Sequence, residues 1–179
     1  LRRMGERGAM LCDGLGTYRV ANVLDAPLIS SSGRQIILRP VRQSDSNQVL
    51  EWQCHSDAEY YTSAPRPSDQ EAKDRWIRCQ FSDPRVISHV ILCDEEPSGL
   101  ITLQWTGEHY EISILVAPGL SHAKLACVAL GLACSLVPDD DLVAEVPEGN
   151  HVSHDLFRNA GFHLSAPGHY VLSPIAAGT

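Results

Sequence analysis

No stretch of the chain approaches the roughly 18 uninterrupted apolar residues of a membrane-spanning helix, so no helical span is expected. The start carries no signal-peptide pattern either, because Leu1-Arg2-Arg3-Met4 leads into polar residues where an apolar h-region would stand. Two readings of that start stay open: Met4 is the true initiator, or the chain is a fragment of something longer. Positive charge is scarce, with 14 Lys and Arg against 22 Asp and Glu and a net charge of -8. That balance argues against a nucleic-acid partner, whose phosphate backbone would be repelled. A small anionic ligand needs only one locally favourable pocket and is not excluded. The six cysteines (Cys12, Cys54, Cys79, Cys93, Cys127, Cys134) form no C-x-x-C pair and no metal-ligand spacing. They read as small buried hydrophobes in a reducing cytoplasm, with no bound metal. What is present, 44% hydrophobic and 20% charged residues over 179 positions, suits a globular fold of one full domain plus a short appendage.

Residues 1–24 read as short helical pieces broken by Asp13-Gly14-Leu15-Gly16, and Asp25–Gly33 has the Pro, Ser and Gly content of a linker. The domain boundary is therefore set at 34, with an appendage over 1–34 and the main domain over 35–179. Gln35–Arg39 is strand-like and ends at Pro40. Ser44-Asp45 is expected to cap a helix running to about Cys54, and Ser68-Asp69-Gln70-Glu71 a second helix through Phe81. Val86–Cys93 and Gly99–Trp105 predict a hairpin with a loop of several residues, and Tyr110–Ala117 a further strand. Helices follow at His122–Leu136 and Asn150–Asn159, separated by a strand at Leu142–Val146, and Gly161-Phe162 opens a last pair of strands. Three consecutive strands ahead of the long helix argue against a doubly wound sheet and for a mixed one. The expected class is α/β, a mostly antiparallel mixed sheet flanked by helices, with a parallel step across the helix at 122–136.

Three junctions carry chemistry. Ile112-Ser113-Ile114-Leu115-Val116-Ala117-Pro118 is a strand feeding a turn and a helix N-terminus, where amides and the helix dipole make a phosphate cradle. Val146–Ser153 ends a strand and starts a helix, with Asn150 in the capping position and free to bond a further polar group. Leu156–Phe162 stops that helix at Gly161 and returns an aromatic to the core.

Together the runs Glu111–Pro118 (E-I-S-I-L-V-A-P) and Asn150–Phe162 (N-H-V-S-H-D-L-F-R-N-A-G-F), in this order, resemble the GNAT superfamily of acyl-CoA-dependent N-acetyltransferases. The resemblance covers about residues 35–173. It implies acetyl-CoA as co-substrate, a small-molecule amine as acceptor, and a sheet whose central strands splay apart. At the front, Leu38-Arg39-Pro40, Glu51-Trp52 and Trp76 look like the sugar-nucleotide branch, which includes the acetyltransferase of pseudaminic-acid biosynthesis acting on the 4-amino group of a UDP-linked deoxyamino sugar. Met10–Ala21 looks like the C-terminal tail of the UDP-sugar hydrolase of the same pathway, so a fusion to an upstream hydrolase is one reading of 1–34. A plain N-terminal helix with a Gly-rich stop is the other.

The family motif Q/R-x-x-G-x-G/A at the pyrophosphate loop falls on Ser121, His122, Ala123, Lys124, Leu125 and Ala126, where only Ala126 fits. Glycine suits that loop because no Cβ obstructs phosphate. Lys124 in its place either obstructs the anion or serves as its counter-charge, beside His122. Phe157 stands where many members have a proton-donating Tyr, so the acid is another hydroxyl, a water, or absent. The resemblance further assigns the Ile114 N–H, at a bulge, to the developing oxyanion, and Val116, Asn150, Ser153 and Phe157 to the cofactor arm. Glu111 is the first choice of general base, through a water, and His109 the second. Besides acetylation of a nucleotide-linked amino sugar, two readings stay open: a protein N-terminus or small amine as acceptor, and a silent GNAT-like binding module.

Overall fold

β-branched runs bounded by turn residues form the strands, and Ala- and Leu-rich runs form the helices. The computed structural model describes residues 28–29, 33–55, 70–120 and 122–174. In chain order these are β1 (Leu28–Ile29), β2 (Gln35–Pro40), a 3-10 turn (Gln43–Asp45), α1 (Ser46–Cys54), α2 (Gln70–Ser82), β3 (Val86–Cys93), β4 (Glu96–Trp105), β5 (Tyr110–Val116), α3 (His122–Cys134), β6 (Leu142–Glu145), α4 (His151–Asn159), β7 (His163–Ala166) and β8 (His169–Leu172). The expected order holds from 35 onward. The two-residue β1, inside the segment read as linker, adds an edge strand. The expected helices of 1–24 and the Ser68-Asp69 half of the second capping box lie outside the described residues.

One eight-stranded sheet runs β1-β2-β3-β4-β5-β6-β8-β7. Every neighbouring pair is antiparallel except β5 and β6, whose parallel step is bridged by α3. Period-two alternation gives the sheet two different faces. On one, Ile91, Ile101, Leu103, Ile112 and Tyr170 pack under α3 and α4. Ala126, Ala129 and Ala133 of α3 are buried, and such small side chains let the helix sit close to the strands. On the opposite face, Leu100 and Leu115 meet Val49 and Trp52 of α1, with Trp76 of α2 alongside.

Three local expectations need correction. The β3–β4 connection is a two-residue turn at Asp94-Glu95, both at positive φ (52° and 72°), and not a loop of several residues. Such a turn matches the twist of the strands it joins. The surplus residue is absorbed at a register shift, where Ile91 faces Gly99 but Leu92 faces Pro97. Asp45 does not cap α1. Its carboxylate accepts from both terminal Arg39 nitrogens (2.9 and 3.0 Å) and the Arg42 amide (2.7 Å), which offer stronger, charged bonds. Of the cysteines, Cys93 is buried and Cys134 half-buried, whereas Cys54, Cys79 and Cys127 are exposed on outer helix surfaces. Cys12 lies outside the described residues.

Candidate active site

The site begins where two parallel strands stop pairing. β5 and β6 share only Tyr110 opposite Leu142 and Glu111 opposite Val143. Past that point β6 pairs with β8 through Glu145, while β5 runs on to Val116 with only β4 beside it. Two hydrogen bonds fix which amides face the opening. Tyr110 N donates toward β6, to Asp141 O at 2.9 Å, and Ala117 N donates toward β4, to Ser98 O at 2.9 Å. Amide direction alternates along a strand, so Ile114 and Val116 turn their N–H groups to the side that β6 has left. The β4–β5 register is regular from Gly99–Val116 to Trp105–Tyr110, so the expected bulge at Ile114 is not there. Divergence of β6 alone opens the gap. Gly99 secures the other side: a Cβ there would stand 2.5 Å from the Leu115 carbonyl oxygen, so only glycine lets β4 approach β5 this closely.

Across the gap stands Asn150 at the start of α4. It is 1% exposed, and its Oδ1 accepts from Ser153 N at 3.0 Å, capping the helix as expected. Its Nδ2 is buried with no hydrogen-bond partner among the described residues. Leaving such a donor unpaired costs about 1–3 kcal/mol, and an acceptor on a bound ligand would relieve that cost. The third wall is the N-terminus of α3, whose first turn holds no acidic residue and whose unpaired amides and dipole favour an anion.

The acetyltransferase (GNAT) domain model matches residues 35–163, most of the chain. The chain belongs to the GNAT acetyltransferase family. This GNAT domain is an N-acetyltransferase that uses acetyl-CoA as co-substrate. No curated protein matches its sequence. Among solved structures, it is similar to the Vibrio cholerae spermidine N-acetyltransferase in complex with CoA and spermine, at 14% identity and a TM-score of 0.62, covering 76% of this chain and 91% of that one. An aminoglycoside acetyltransferase in complex with coenzyme A gives 17% identity and 0.64, covering 78% and 95%. An acetyltransferase from Agrobacterium tumefaciens gives 17% and 0.60, covering 82% and 92%. At these identities the similarity speaks for the fold.

The GNAT architecture brings some of the expected site residues together and separates others. Ile114, Val116 and Asn150 frame the opening, with Ser153 one turn into α4. Glu111 is exposed on the α1–α2 face, three residues before Ile114. His109 is farther away, in the β4–β5 turn, where Thr106 Oγ1 accepts from its amide at 3.2 Å. Five residues separate it from Ile114, ~16 Å along a strand, against ~10 Å for Glu111. Lys124 is exposed, whereas Leu125 (7%) and Ala126 (3%) point into the core and offer the site backbone only. His122 and Ala123 are helical, and Ser121 lies outside the described residues. Phe157 is 4% exposed and packed on Phe162 (centroids 5.1 Å) and Tyr170 (6.0 Å), a core position. Among the described residues no cluster of ligands suits a metal, and no helix is long and apolar enough to cross a membrane.

One feature escaped the sequence reading, and one was only half visible in it. The buried Tyr170 hydroxyl lies 2.9 Å from His154 Nδ1, tying α4 to β8, a pairing between residues 16 apart that no local pattern announces. The unpaired Asn150 Nδ2 was legible only as a capping asparagine with a spare group.

Proposed function

We propose that this N-acetyltransferase acetylates the amino group of a nucleotide-linked amino sugar. The observation that carries the amine chemistry is the opening beyond Glu111 and Val143, with the Ile114 and Val116 amides on one side and the buried Asn150 donor on the other. Acetyl-CoA supplies an acetyl thioester there, and the residues present fit it. The Val116 backbone and Asn150 Nδ2 hold the amide-bearing arm. The α3 N-terminus receives the diphosphate, with Lys124 as counter-charge where the family prefers glycine. The Ile114 N–H stabilises the developing oxyanion, and Glu111, through a water, takes the proton the amine must lose. Phe157 cannot donate a proton, and the thiolate, with an ordinary pKa of about 8.5, is a leaving group that manages without a dedicated acid.

The nucleotide-sugar acceptor is supported by the front half, Leu38-Arg39-Pro40, Glu51-Trp52 and Trp76, which looks like that branch of the family. On that reading residues 1–34 are the tail of a hydrolase of the same pathway, and 35–179 the transferase domain. A small polycationic amine or an aminoglycoside is the second reading, favoured by the neighbours crystallised with such molecules.

Calorimetry with acetyl-CoA tests the common part, and the expected result is saturable binding. Neither heat nor thermal shift at millimolar acetyl-CoA would exclude every enzyme reading and leave a silent binding module. Thiol release with a UDP-linked 4-amino-deoxysugar, spermine and kanamycin as acceptors then ranks the readings, and preference for either of the last two displaces the first.

A further inference from the structure

One face of the sheet is filled by the core under α3 and α4, which leaves the α1–α2 face for an acceptor on the acetyltransferase reading, and that face is built in three rows. Val90, Leu100 and Leu115 stand opposite one another across β3, β4 and β5; Leu100 and Leu115 lie in the apolar cluster of α1. The next row is Ser88, Thr102 and Ser113, again in register across the three strands. The last is Val86, Gln104 and Glu111. Successive rows lie ~7 Å apart along the strands, and neighbouring strands ~4.8 Å apart.

We propose that the Ser88–Thr102–Ser113 row is the floor of the acceptor site and selects amines that carry hydroxyl groups. This rests on the acetyltransferase reading above and adds the residues that select the acceptor. Four observations support it. Ser113 directly precedes Ile114, so its side chain stands within one residue of the amide that faces the opening. Exposure rises along the row, from Ser88 (8%) through the half-buried Thr102 to the exposed Ser113, as in a trough that deepens away from the opening. Thr102 Oγ1 lies 3.4 Å from the buried Ser88 Oγ, and Ser113 Oγ has no partner among the described residues, so the outer two hydroxyls, Thr102 and Ser113, offer both donors and acceptors to an incoming polyol. Glu111 is the only carboxylate in the nine positions, which suits a single ammonium flanked by hydroxyls better than a linear polyamine.

The test compares two six-membered ring amines, D-glucosamine and cyclohexylamine, with wild type and the near-isosteric double variant Thr102→Val, Ser113→Ala. Thiol release gives kcat/KM, and calorimetry gives acetyl-CoA affinity as the measure of an intact site. The expected result is a loss of about tenfold or more in kcat/KM for glucosamine, a change under about twofold for cyclohexylamine, and unchanged acetyl-CoA affinity. Because each amine is compared with itself across proteins, their different basicities cancel. Equal losses for both amines, no loss for glucosamine, or acetyl-CoA binding without turnover of either amine would each overturn the proposal. Failure to bind acetyl-CoA at all would instead remove the acetyltransferase reading beneath it.

Discussion

Asn150 caps α4 through Oδ1 and, in the proposed site, offers Nδ2 to the acetyl-CoA arm, and the two are separable by substitution. Asp accepts the Ser153 amide as well as Asn does, but lacks the Nδ2 donor. Asn150→Asp is therefore expected to keep the α4 cap while raising the acetyl-CoA Kd about fivefold or more, read by calorimetry. Asn150→Ala should add a stability loss of ~1 kcal/mol in denaturant melts, because the cap goes too. Glu111 is separable in the opposite sense. If it takes the amine proton, Glu111→Gln lowers kcat by about 100-fold or more and leaves acetyl-CoA affinity alone. Unchanged turnover would strike it from the mechanism. Both residues were legible in the sequence because each sits inside a local pattern, a strand entering a turn and a helix start. His109 sits in the turn just before β5, two residues farther from Ile114 than Glu111.

At the scale of the element, the active-site opening is a disagreement between two strands about their partner. β6 takes β8 on its far side along its whole length, but keeps β5 for only two residues. β5 stays in regular register with β4 throughout, held close by Gly99. A methyl at Gly99 would push β5 toward the opening. Gly99→Ala is accordingly expected to cost about 1–3 kcal/mol and to weaken acetyl-CoA binding together with stability, measured by denaturant melts and calorimetry. Loss of stability without loss of affinity would show that the gap does not depend on the β4–β5 contact. The opposite face behaves differently. Among the described residues, α1 covers the Leu100 and Leu115 row of β4 and β5, while Thr102 beside it is half-buried and Ser113 exposed.

At the scale of the whole molecule, two carboxylates paired with arginines, Asp45 and Asp83, carry acid sensitivity. The Asp45 carboxyl is pushed up by burial, but hydrogen bonds from Arg39 and the Arg42 amide outweigh this and hold it below the ordinary carboxylate value. The side-chain and backbone hydrogen bonds of Arg85 lower Asp83 to about 2. A carboxylate lowered on folding contributes stability that is present above its unfolded pKa, near 4, and lost as pH falls through its folded pKa. The melting temperature should thus be level above about pH 5 and fall between about pH 4 and 2. Asp45→Asn should flatten part of that fall and lower the plateau, because Arg39, only 18% exposed, loses its partner. A titration curve identical to that of wild type would refute this role for Asp45. At the other extreme, burial raises the Cys134 thiol to about 11, so it stays protonated at neutral pH.

Hydrophobic period and turn residues are local quantities, so the sequence alone determined the order of elements from 35 onward and the mixed sheet, and the resemblance of Glu111–Pro118 and Asn150–Phe162 pointed to the family. The same locality made Ile114, Val116 and Asn150 visible as strand-end and helix-start positions. What waited for the tertiary structure was everything that depends on which strand lies beside which. The point where β5 and β6 part, the regular register in place of a bulge, the core position of Phe157, the Tyr170–His154 bond and the alignment of Ser88, Thr102 and Ser113 all join residues from different strands and helices. Register between strands is set by packing of the whole sheet against its helices, and no single segment contains it.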